Sequence, residues 1–182
     1  MIDEIRKVMA SADCLADASV LQGILDAMAE QLTVEVAAQN PIILCVMNGG
    51  LILSGMLLPR LNFPLQVDYL HATRYRQKLT GADLQWKAFP TLPLAGRVVV
   101  LVDDILDEGD TLVGIRTYCL SQGAARVLCA VLVDKQHDRR NPALTRAEIT
   151  GMVAPDRYLF GFGMDYKGYL RNAPGIYAVR DA

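Results

Sequence analysis

Residues 98–133 are VVVLVDDILDEGDTLVGIRTYCLSQGAARVLCAVLV, and this stretch decides the fold class. Val98–Val102 is a continuous apolar run, which is typical of a strand buried on both faces of a parallel sheet. Thr111–Gln122 has apolar residues at helical spacing, and Val127–Val133 is a second apolar run. A strand, a helix and a strand within about 35 residues form a parallel crossover unit. The sequence therefore predicts an α/β fold with a doubly wound parallel sheet.

The rest of the chain supplies further elements of the same kind, and it shows neither an internal repeat nor a low-complexity segment. The patterns predict a helix in Ala16–Ala38, a strand in Pro41–Met47, a helix in Leu51–Leu58, a strand in Leu65–Leu70 and a mobile arm or hairpin in His71–Lys87. A length of 182 residues suits one domain with a sizeable core.

Composition excludes several classes of function. A net charge of −2 argues against general nucleic-acid binding, which usually leaves a basic footprint. The longest apolar runs are far too short to cross a bilayer, and acidic residues stand where a signal peptide would have its basic start. With two histidines and no CxxC pair, a His/Cys metal site is not expected. We expect a cytoplasmic protein that binds neither nucleic acid nor membrane.

Acidic residues crowd the segment that follows Val98–Val102. Five of the eight residues in Asp103–Asp110 are acidic, at a place where like charges repel and desolvation is costly. A solvated acidic turn is the plain interpretation. The functional one is a ribose phosphate site, in which Asp103 and Asp104 bind a vicinal diol directly or through Mg²⁺.

The end of the same segment has the features of a phosphate site. Gly109 lets the backbone approach an anion closely, and Thr111 opens a helix whose N-terminus can bind phosphate. Asp107 lies between the diol and phosphate positions, where chemistry on a sugar would occur. A Walker A loop and a GxGxxG motif between strand and helix are both absent from the sequence, which disfavours nucleoside triphosphates and dinucleotides.

The segment VVVLVDDILDEGDTL resembles the ribose-phosphate signature of the type I phosphoribosyltransferases. These enzymes transfer ribose 5-phosphate from phosphoribosyl pyrophosphate (PRPP) to a nitrogen nucleophile. The signature has two acids, two hydrophobic residues and then Asp-x-Gly-x-Thr, and every position is filled. Asp103 stands where many members have Glu, and Asp110 stands where many have Lys or Asn.

Two further segments resemble the base-binding part of the hypoxanthine-guanine phosphoribosyltransferases. Lys135 follows the apolar run Val127–Val133, where the resemblance implies a donor to the 6-oxygen of a purine. Tyr158–Tyr166 is similar to the base-binding strand and its turn, so that Tyr158 would stack on the purine and the Leu159 backbone would meet its edge. Asp165 would hold Mg²⁺ and read the purine edge, and Arg171 would contact pyrophosphate.

Two weaker matches complete the resemblance. Asn48 and Gly49 match the pyrophosphate loop, although Asn48 replaces a common Lys and a cation is therefore missing. An arm at about 72–88 matches the flexible loop, with Arg74 in place of its usual Ser and Tyr75 retained.

The resemblance implies one phosphoribosyltransferase domain with a parallel core and a small hood from about residues 1–40 and 155–182. It implies PRPP and a 6-oxopurine as substrates, Mg²⁺ as cofactor, and a homodimer or homotetramer. Asp107 would be the catalytic base, Asp103, Asp104 and Asp165 the metal ligands. The PRPP-binding residues would be Asp103, Asp104, Asp107, Glu108, Gly109, Asp110 and Thr111.

Two questions stay open at the level of the sequence. The first is the base: Lys135 disfavours adenine, whose 6-amino group a cation would repel, but hypoxanthine, guanine and xanthine are not ranked. The second is the class of protein, since a regulator of the same fold that senses PRPP with little catalysis is the alternative to an enzyme.

Overall fold

A computed structural model describes residues 1–74 and 84–180 of the chain. Short 3-10 turns at Ala37–Gln39 and Leu58–Arg60 accompany the regular elements. The helices are α1 (Ile2–Ser11), α2 (Ala18–Val36), α3 (Gly50–Leu57) and α4 (Asp110–Ser121). The strands are β1 (Asp13–Ala16), β2 (Ile42–Val46), β3 (Gln66–Arg74), β4 (Leu84–Ala88), β5 (Val98–Leu106), β6 (Arg126–Gln136), β7 (Ile149–Pro155), β8 (Leu159–Phe160) and β9 (Ile176–Ala178). Within the described residues, no helix combines the length and the apolar character that a membrane span needs.

The main sheet has six strands in the order β4-β3-β2-β5-β6-β7. Its strands β3, β2, β5, β6 and β7 are mutually parallel, and β4 joins β3 antiparallel at the edge. The chain moves from β2 outward to β3 and then returns to the other side of β2 at β5, so the strand order reverses between β2 and β5. The predicted α/β fold with a doubly wound parallel sheet is confirmed.

The apolar run of β5 is continuous because helices cover both faces of the sheet. Val100 and Val102 belong to a core that includes α2 and α3, whereas Val99 and Leu101 belong to the opposite core under α4. Successive side chains of a strand point to opposite faces, so a strand buried on both faces needs apolar residues at every position.

Local signals explain where two of the helices begin. The Asp17 carboxylate caps α2 by accepting hydrogen bonds from the amides of Ser19 and Val20, each at 2.9 Å. Helix α4 begins directly after Gly109, whose φ of 91° lies in the left-handed region that favours glycine. Both helices lie within two residues of the predicted bounds.

Three strands run further than the sequence predicts. We expected an acidic loop from Asp103 onward, but β5 continues to Leu106, with Asp103 opposite Val131 and Leu106 opposite Asp134 of β6. Strand β6 itself runs to Gln136, and β3 runs on to Arg74 instead of stopping at Leu70. The prediction failed because backbone hydrogen bonds between paired strands continue regardless of side-chain charge.

A second, three-stranded sheet has the order β1-β9-β8 and draws its strands from both ends of the chain. Its strands pair antiparallel. Helix α2, which lies between β1 and β2 in the chain, packs on the main sheet in the same core as Val100. The division into a core and a hood at residues 1–40 and 155–182 stays a prediction.

The predicted arm is described only at its two ends. Strands β3 and β4 pair antiparallel, with Thr73 opposite Gln85. The Trp86 ring packs on Phe89 and Tyr118, with ring centroids 4.7 and 4.6 Å away, which ties β4 to α4. Arg74 ends β3, and Tyr75 lies outside the described residues.

Candidate active site

The carboxyl ends of β2 and β5 meet at the point where the strand order reverses, which is where ligands bind in doubly wound sheets. A cavity of about 620 Å³ opens there. The predicted site residues that line it are Asn48, Gly49, Asp103, Asp104, Asp107, Glu108, Gly109, Asp110, Thr111, Lys135, Tyr158, Leu159, Asp165 and Arg171. The structure brings these residues together, and their individual roles stay predictions.

Asp103 and Asp104 are adjacent acids near the carboxyl end of β5, and both line the cavity. Asp104 is 8% exposed, and its amide donates to the Asp103 carboxylate at 2.9 Å. Burial raises the pKa of both carboxyls, and the charge of Asp104 raises the pKa of Asp103 further. Arg171 lies 3.9 Å from the Asp104 carboxylate and counteracts the rise only in part. A cation or a hydroxyl-rich ligand at this pair would stabilise the charged form of the two carboxylates.

The segment after β5 leads directly into the N-terminus of α4. Gly109 permits the turn, and Asp110 and Thr111 form the first turn of the 12-residue helix. The first amides of a helix have no partner within the helix, and together with the helix dipole they attract anions. Asp110 is the acid that the sequence places beside the expected phosphate. Its carboxylate accepts a hydrogen bond from the Asn141 side chain at 2.8 Å.

Asp107 lies between two side chains that come from the end of β6. Its Oδ2 atom is 3.1 Å from the Lys135 ammonium, and its Oδ1 atom is 2.6 Å from His137 Nε2. Lys135 also lies 3.2 Å from Asp156, so this single cation joins two carboxylates. The Asp107 side chain is 45% exposed, whereas the Lys135 side chain is 12% exposed. The Asp107 carboxylate can therefore reach a ligand while it remains in contact with Lys135 and His137.

His137 is a site residue that the sequence did not predict. Its side chain is 3% exposed, and its Nδ1 atom accepts a hydrogen bond from the Arg139 amide at 3.0 Å. A signal was available in the sequence, because Lys135 and His137 are two residues apart and so fall on the same side of an extended chain. It was too weak to use without knowing that Asp107 lies opposite both.

Two of the predicted purine-binding residues, Tyr158 and Leu159, also line the cavity. Tyr158 is 52% exposed, and its ring meets the edge of the Tyr166 ring with centroids 5.3 Å apart. Leu159 is buried in β8, which has only two residues. Tyr158 is therefore both exposed and part of the cavity lining.

Arg171 organises the turn that carries Asp165. Its guanidinium donates to the Gly163 carbonyl and to the Asp165 carboxylate, each at 2.6 Å. The other Asp165 oxygen accepts from the Gly168 amide at 2.7 Å. The predicted pyrophosphate contact and the predicted metal ligand are thus paired with each other in this structure.

The loop after β2 packs directly against the acid pair. The peptide bond between Met47 and Asn48 is cis, and the Met47 amide donates to the Leu70 carbonyl at 2.9 Å. A Cβ atom at Gly49 would collide with the Asp104 carboxylate, and one at Gly163 would collide with the Gly49 carbonyl. Glycine is required at both positions because backbone and carboxylate are in contact there.

Two further nitrogen-bearing side chains line the cavity and were not predicted. His71 of β3 and Lys87 of β4 approach it from the arm side. Burial and the charges of Lys87 and Arg171 lower the pKa of His71. Lys87 and Arg171 are therefore close enough to His71 to disfavour its protonated form.

A preformed metal cage does not occur among the described residues, since no group of three or more potential ligands is close enough to hold an ion. Mg²⁺ usually keeps several waters and binds through one or two carboxylates together with substrate phosphates.

Comparison with known proteins identifies the family. The family model described as the phosphoribosyl transferase domain matches residues 13–166. The chain belongs to that family. The family predicted from the acidic segment after Val102 is therefore confirmed.

Similar curated proteins within the phosphoribosyl transferase family span the same length. The chain is 28% identical over 180 residues to the hypoxanthine-guanine phosphoribosyltransferase of Streptococcus pneumoniae (strain ATCC BAA-255 / R6), covering 98% of this chain and 96% of the relative. It is 25% identical over 182 residues to the hypoxanthine-guanine-xanthine phosphoribosyltransferase of Tritrichomonas foetus, covering 100% of this chain and 96% of the relative.

Solved structures agree on the fold. A hypoxanthine-guanine phosphoribosyltransferase from Bacillus anthracis superposes with a TM-score of 0.84 at 25% identity, covering 93% of this chain and 97% of that one. A hypoxanthine phosphoribosyltransferase from Staphylococcus aureus superposes with a TM-score of 0.84 at 24% identity, covering 92% of this chain and 91% of that one. The whole described architecture thus has the fold of these phosphoribosyltransferases.

Proposed function

We propose that this protein is a purine salvage transferase. It moves the 5-phosphoribosyl group of PRPP to N9 of hypoxanthine or guanine, releasing pyrophosphate and forming IMP or GMP. The observation that carries the proposal is the convergence of Lys135 and Asp107 at one cavity that also holds the acid pair and the N-terminus of α4. The curated relatives named for hypoxanthine and guanine support the same substrate class.

In this proposal PRPP lies along the segment from β5 to α4. The ribose diol is held by Asp103 and Asp104, and the 5-phosphate is held by the backbone of Glu108–Thr111. The left-handed Gly109 and the first amides of α4 support the phosphate position, because they present hydrogen-bond donors and a positive dipole end to an anion.

The purine lies between Tyr158 and the ribose. Lys135 donates to the 6-oxygen, which an ammonium group recognises and which adenine lacks. An ammonium has three donors, so Lys135 can keep a contact to Asp156 while it turns toward the base. The Leu159 backbone and Asp165 meet the opposite edge of the purine, where hypoxanthine, guanine and xanthine differ.

Asp107 is the general base. As purine N9 bonds to C1 of the ribose, the bond between C1 and the pyrophosphate oxygen breaks, and the proton on N7 passes to the Asp107 carboxylate. Asp107 suits this task because it is half-exposed at the cavity and held by two donors. General base catalysis contributes about 10²–10⁴-fold to the rate in most enzymes.

Pyrophosphate is received by Asn48, Gly49 and Arg171. Asp103, Asp104 and Asp165 would hold Mg²⁺, and when bound the ion neutralises charge on the leaving group. The raised pKa values of the acid pair support this assignment, because a divalent cation would stabilise two adjacent negative charges that are poorly solvated. Closure of the arm through Arg74 and Tyr75 stays part of the proposal, as does assembly into a homodimer or homotetramer.

A spectrophotometric assay tests the function directly. The purified chain is given PRPP with hypoxanthine, guanine, xanthine or adenine, each with Mg²⁺ and with EDTA. We expect product with hypoxanthine or guanine, little with adenine, and loss of turnover in EDTA. If PRPP binds but no purine gives product, the enzyme assignment is wrong and the PRPP-sensing regulator is the better interpretation.

A further inference from the structure

His137 is the second side chain that contacts the Asp107 carboxylate, and the mechanism proposed above gives it no step of its own. It lies just past the end of β6, 30 residues along the chain from Asp107. Its Nε2 atom is 2.6 Å from Asp107 Oδ1, at the short end of hydrogen-bond distances. A side chain that is 3% exposed cannot reach a substrate in the cavity, so any role in catalysis must pass through Asp107.

The other ring nitrogen decides which way the proton points. His137 Nδ1 is 3.0 Å from the Arg139 amide, which is a donor, so Nδ1 must be the acceptor. In a neutral imidazole the proton then lies on Nε2 and is donated to Asp107. The same contact leaves Nδ1 without a place for a second proton, so the ring does not relay the proton that Asp107 would take.

Lys135 is the alternative anchor of Asp107, but it is already shared. It contacts Asp107 at 3.1 Å and Asp156 at 3.2 Å, and in the proposed function it also turns to the purine oxygen. Within the described residues, His137 Nε2 contacts only the Asp107 carboxylate, and the burial of the ring restricts its movement. It is therefore the contact that can hold the carboxylate during the reaction.

We propose that His137 is a positioning residue, which fixes the orientation of the Asp107 carboxylate by donating from Nε2. This inference rests on the proposed role of Asp107 as general base. A base must meet the proton it takes at hydrogen-bond distance, and a displacement of about 1 Å can cost about 10²-fold in rate.

Two variants separate the donor from the rest of the ring. His137→Asn places an acceptor near the Nδ1 position but is too short to reach Asp107, whereas His137→Gln extends an amide donor to the Nε2 position. We expect His137→Asn to lower the single-turnover rate by about 10- to 100-fold with little change in the KM for PRPP. His137→Gln should recover most of that loss. Gln136→Leu, at the exposed neighbouring position, is the control and should leave the rate unchanged.

The decisive comparison repeats His137→Asn in an Asp107→Asn background. If His137 acts through Asp107, the second substitution costs little once the carboxylate is gone. An equal loss in both backgrounds would mean a general structural role and would overturn the proposal. An inactive wild type would instead refute the proposed function, and an Asp107→Asn variant with full activity would refute the general base, so the three failures are distinguishable.

NMR of the wild-type protein tests the position of the His137 proton without any substitution at His137. The chain has only two histidines, so ¹⁵N-edited NMR of the wild type can assign both rings, with His71→Gln to separate them. We expect the His137 proton on Nε2 at a pH where imidazole is neutral. A proton on Nδ1 would overturn the proposal, because Nε2 could then not donate to Asp107.

Discussion

The acid pair Asp103–Asp104 and the single acid Asp107 lie on one short stretch, yet their surroundings differ. Asp104 is buried and Asp103 is partly buried, Arg171 lies 3.9 Å from the Asp104 carboxylate, and desolvation raises the pKa of both carboxyls. Asp107 is half-exposed and touches two donors, Lys135 and His137. The difference supports the proposed division of roles, in which the pair binds a cation or a diol and the more accessible Asp107 meets the purine.

The largest expected effect comes from removing the base. Asp107→Asn keeps the size of the side chain but removes its charge and its ability to take a proton. We expect kcat to fall by about 10²–10⁴-fold, while PRPP still binds. Single-turnover kinetics and calorimetric titration with PRPP measure the two quantities separately.

The matched control for that substitution is Asp138→Asn, an acid in the neighbouring exposed segment that does not line the cavity. It should leave both quantities unchanged. Full turnover in the Asp107→Asn variant would show that Asp107 is not the base, and the proposed difference in role between Asp107 and the acid pair would be wrong.

The next effect concerns the acid pair and has opposite signs for binding and stability. Asp103→Asn removes one of two adjacent carboxyls whose pKa values are raised by desolvation, so the free protein should be more stable at pH 7, with a thermal midpoint higher by a few degrees, at about 2–4 °C per kcal/mol. The same substitution should weaken binding of Mg²⁺-PRPP by about 10- to 100-fold, which corresponds to the loss of a hydrogen bond to a charged group.

The pH dependence of the pair follows from its raised pKa values. The folded state keeps its protons to a higher pH than the unfolded state does, so it binds more protons in that window. The stability of the free protein should therefore fall as the pH rises from about 4 through the raised pKa values, and part of this fall should vanish in Asp103→Asn. Thermal unfolding in EDTA at several pH values measures it. If the stability of the wild type instead rises over that pH range, the raised pKa values of the pair are contradicted.

The smallest effect tests the contact behind Lys135. The Asp156 side chain is 37% exposed, and hydrogen bonds from Arg139 and then Lys135 hold its pKa well below the usual range. A partly exposed ion pair contributes about 0–1 kcal/mol, so Asp156→Asn should change the KM for hypoxanthine by less than about fivefold. Steady-state kinetics with hypoxanthine measures this change. A loss as large as that of Asp107→Asn would mean that Asp156, and not only the cavity acids, takes part in the chemistry.

Much of the site was predictable because its signals are local. The apolar run Val98–Val102, the acids after it, and Gly109 before a helix all act within a few residues. The extension of β5 to Leu106 was not predictable from that run, because it depends on pairing with β6. The contacts of Arg171 were not predictable either, because its guanidinium donates to Gly163 and Asp165, and those contacts depend on the folded turn.

By itself, the sequence determined the α/β class, the family and the acids that line the cavity, because apolar periodicity and motif spacing are properties of neighbouring residues. Only the tertiary structure decided which groups meet those acids. His137 reaches Asp107 across 30 residues of chain, and Lys87 and Arg171 approach His71 from separate segments. Such contacts depend on how strands are ordered and paired in the sheet, and that geometry is set by packing over the whole core.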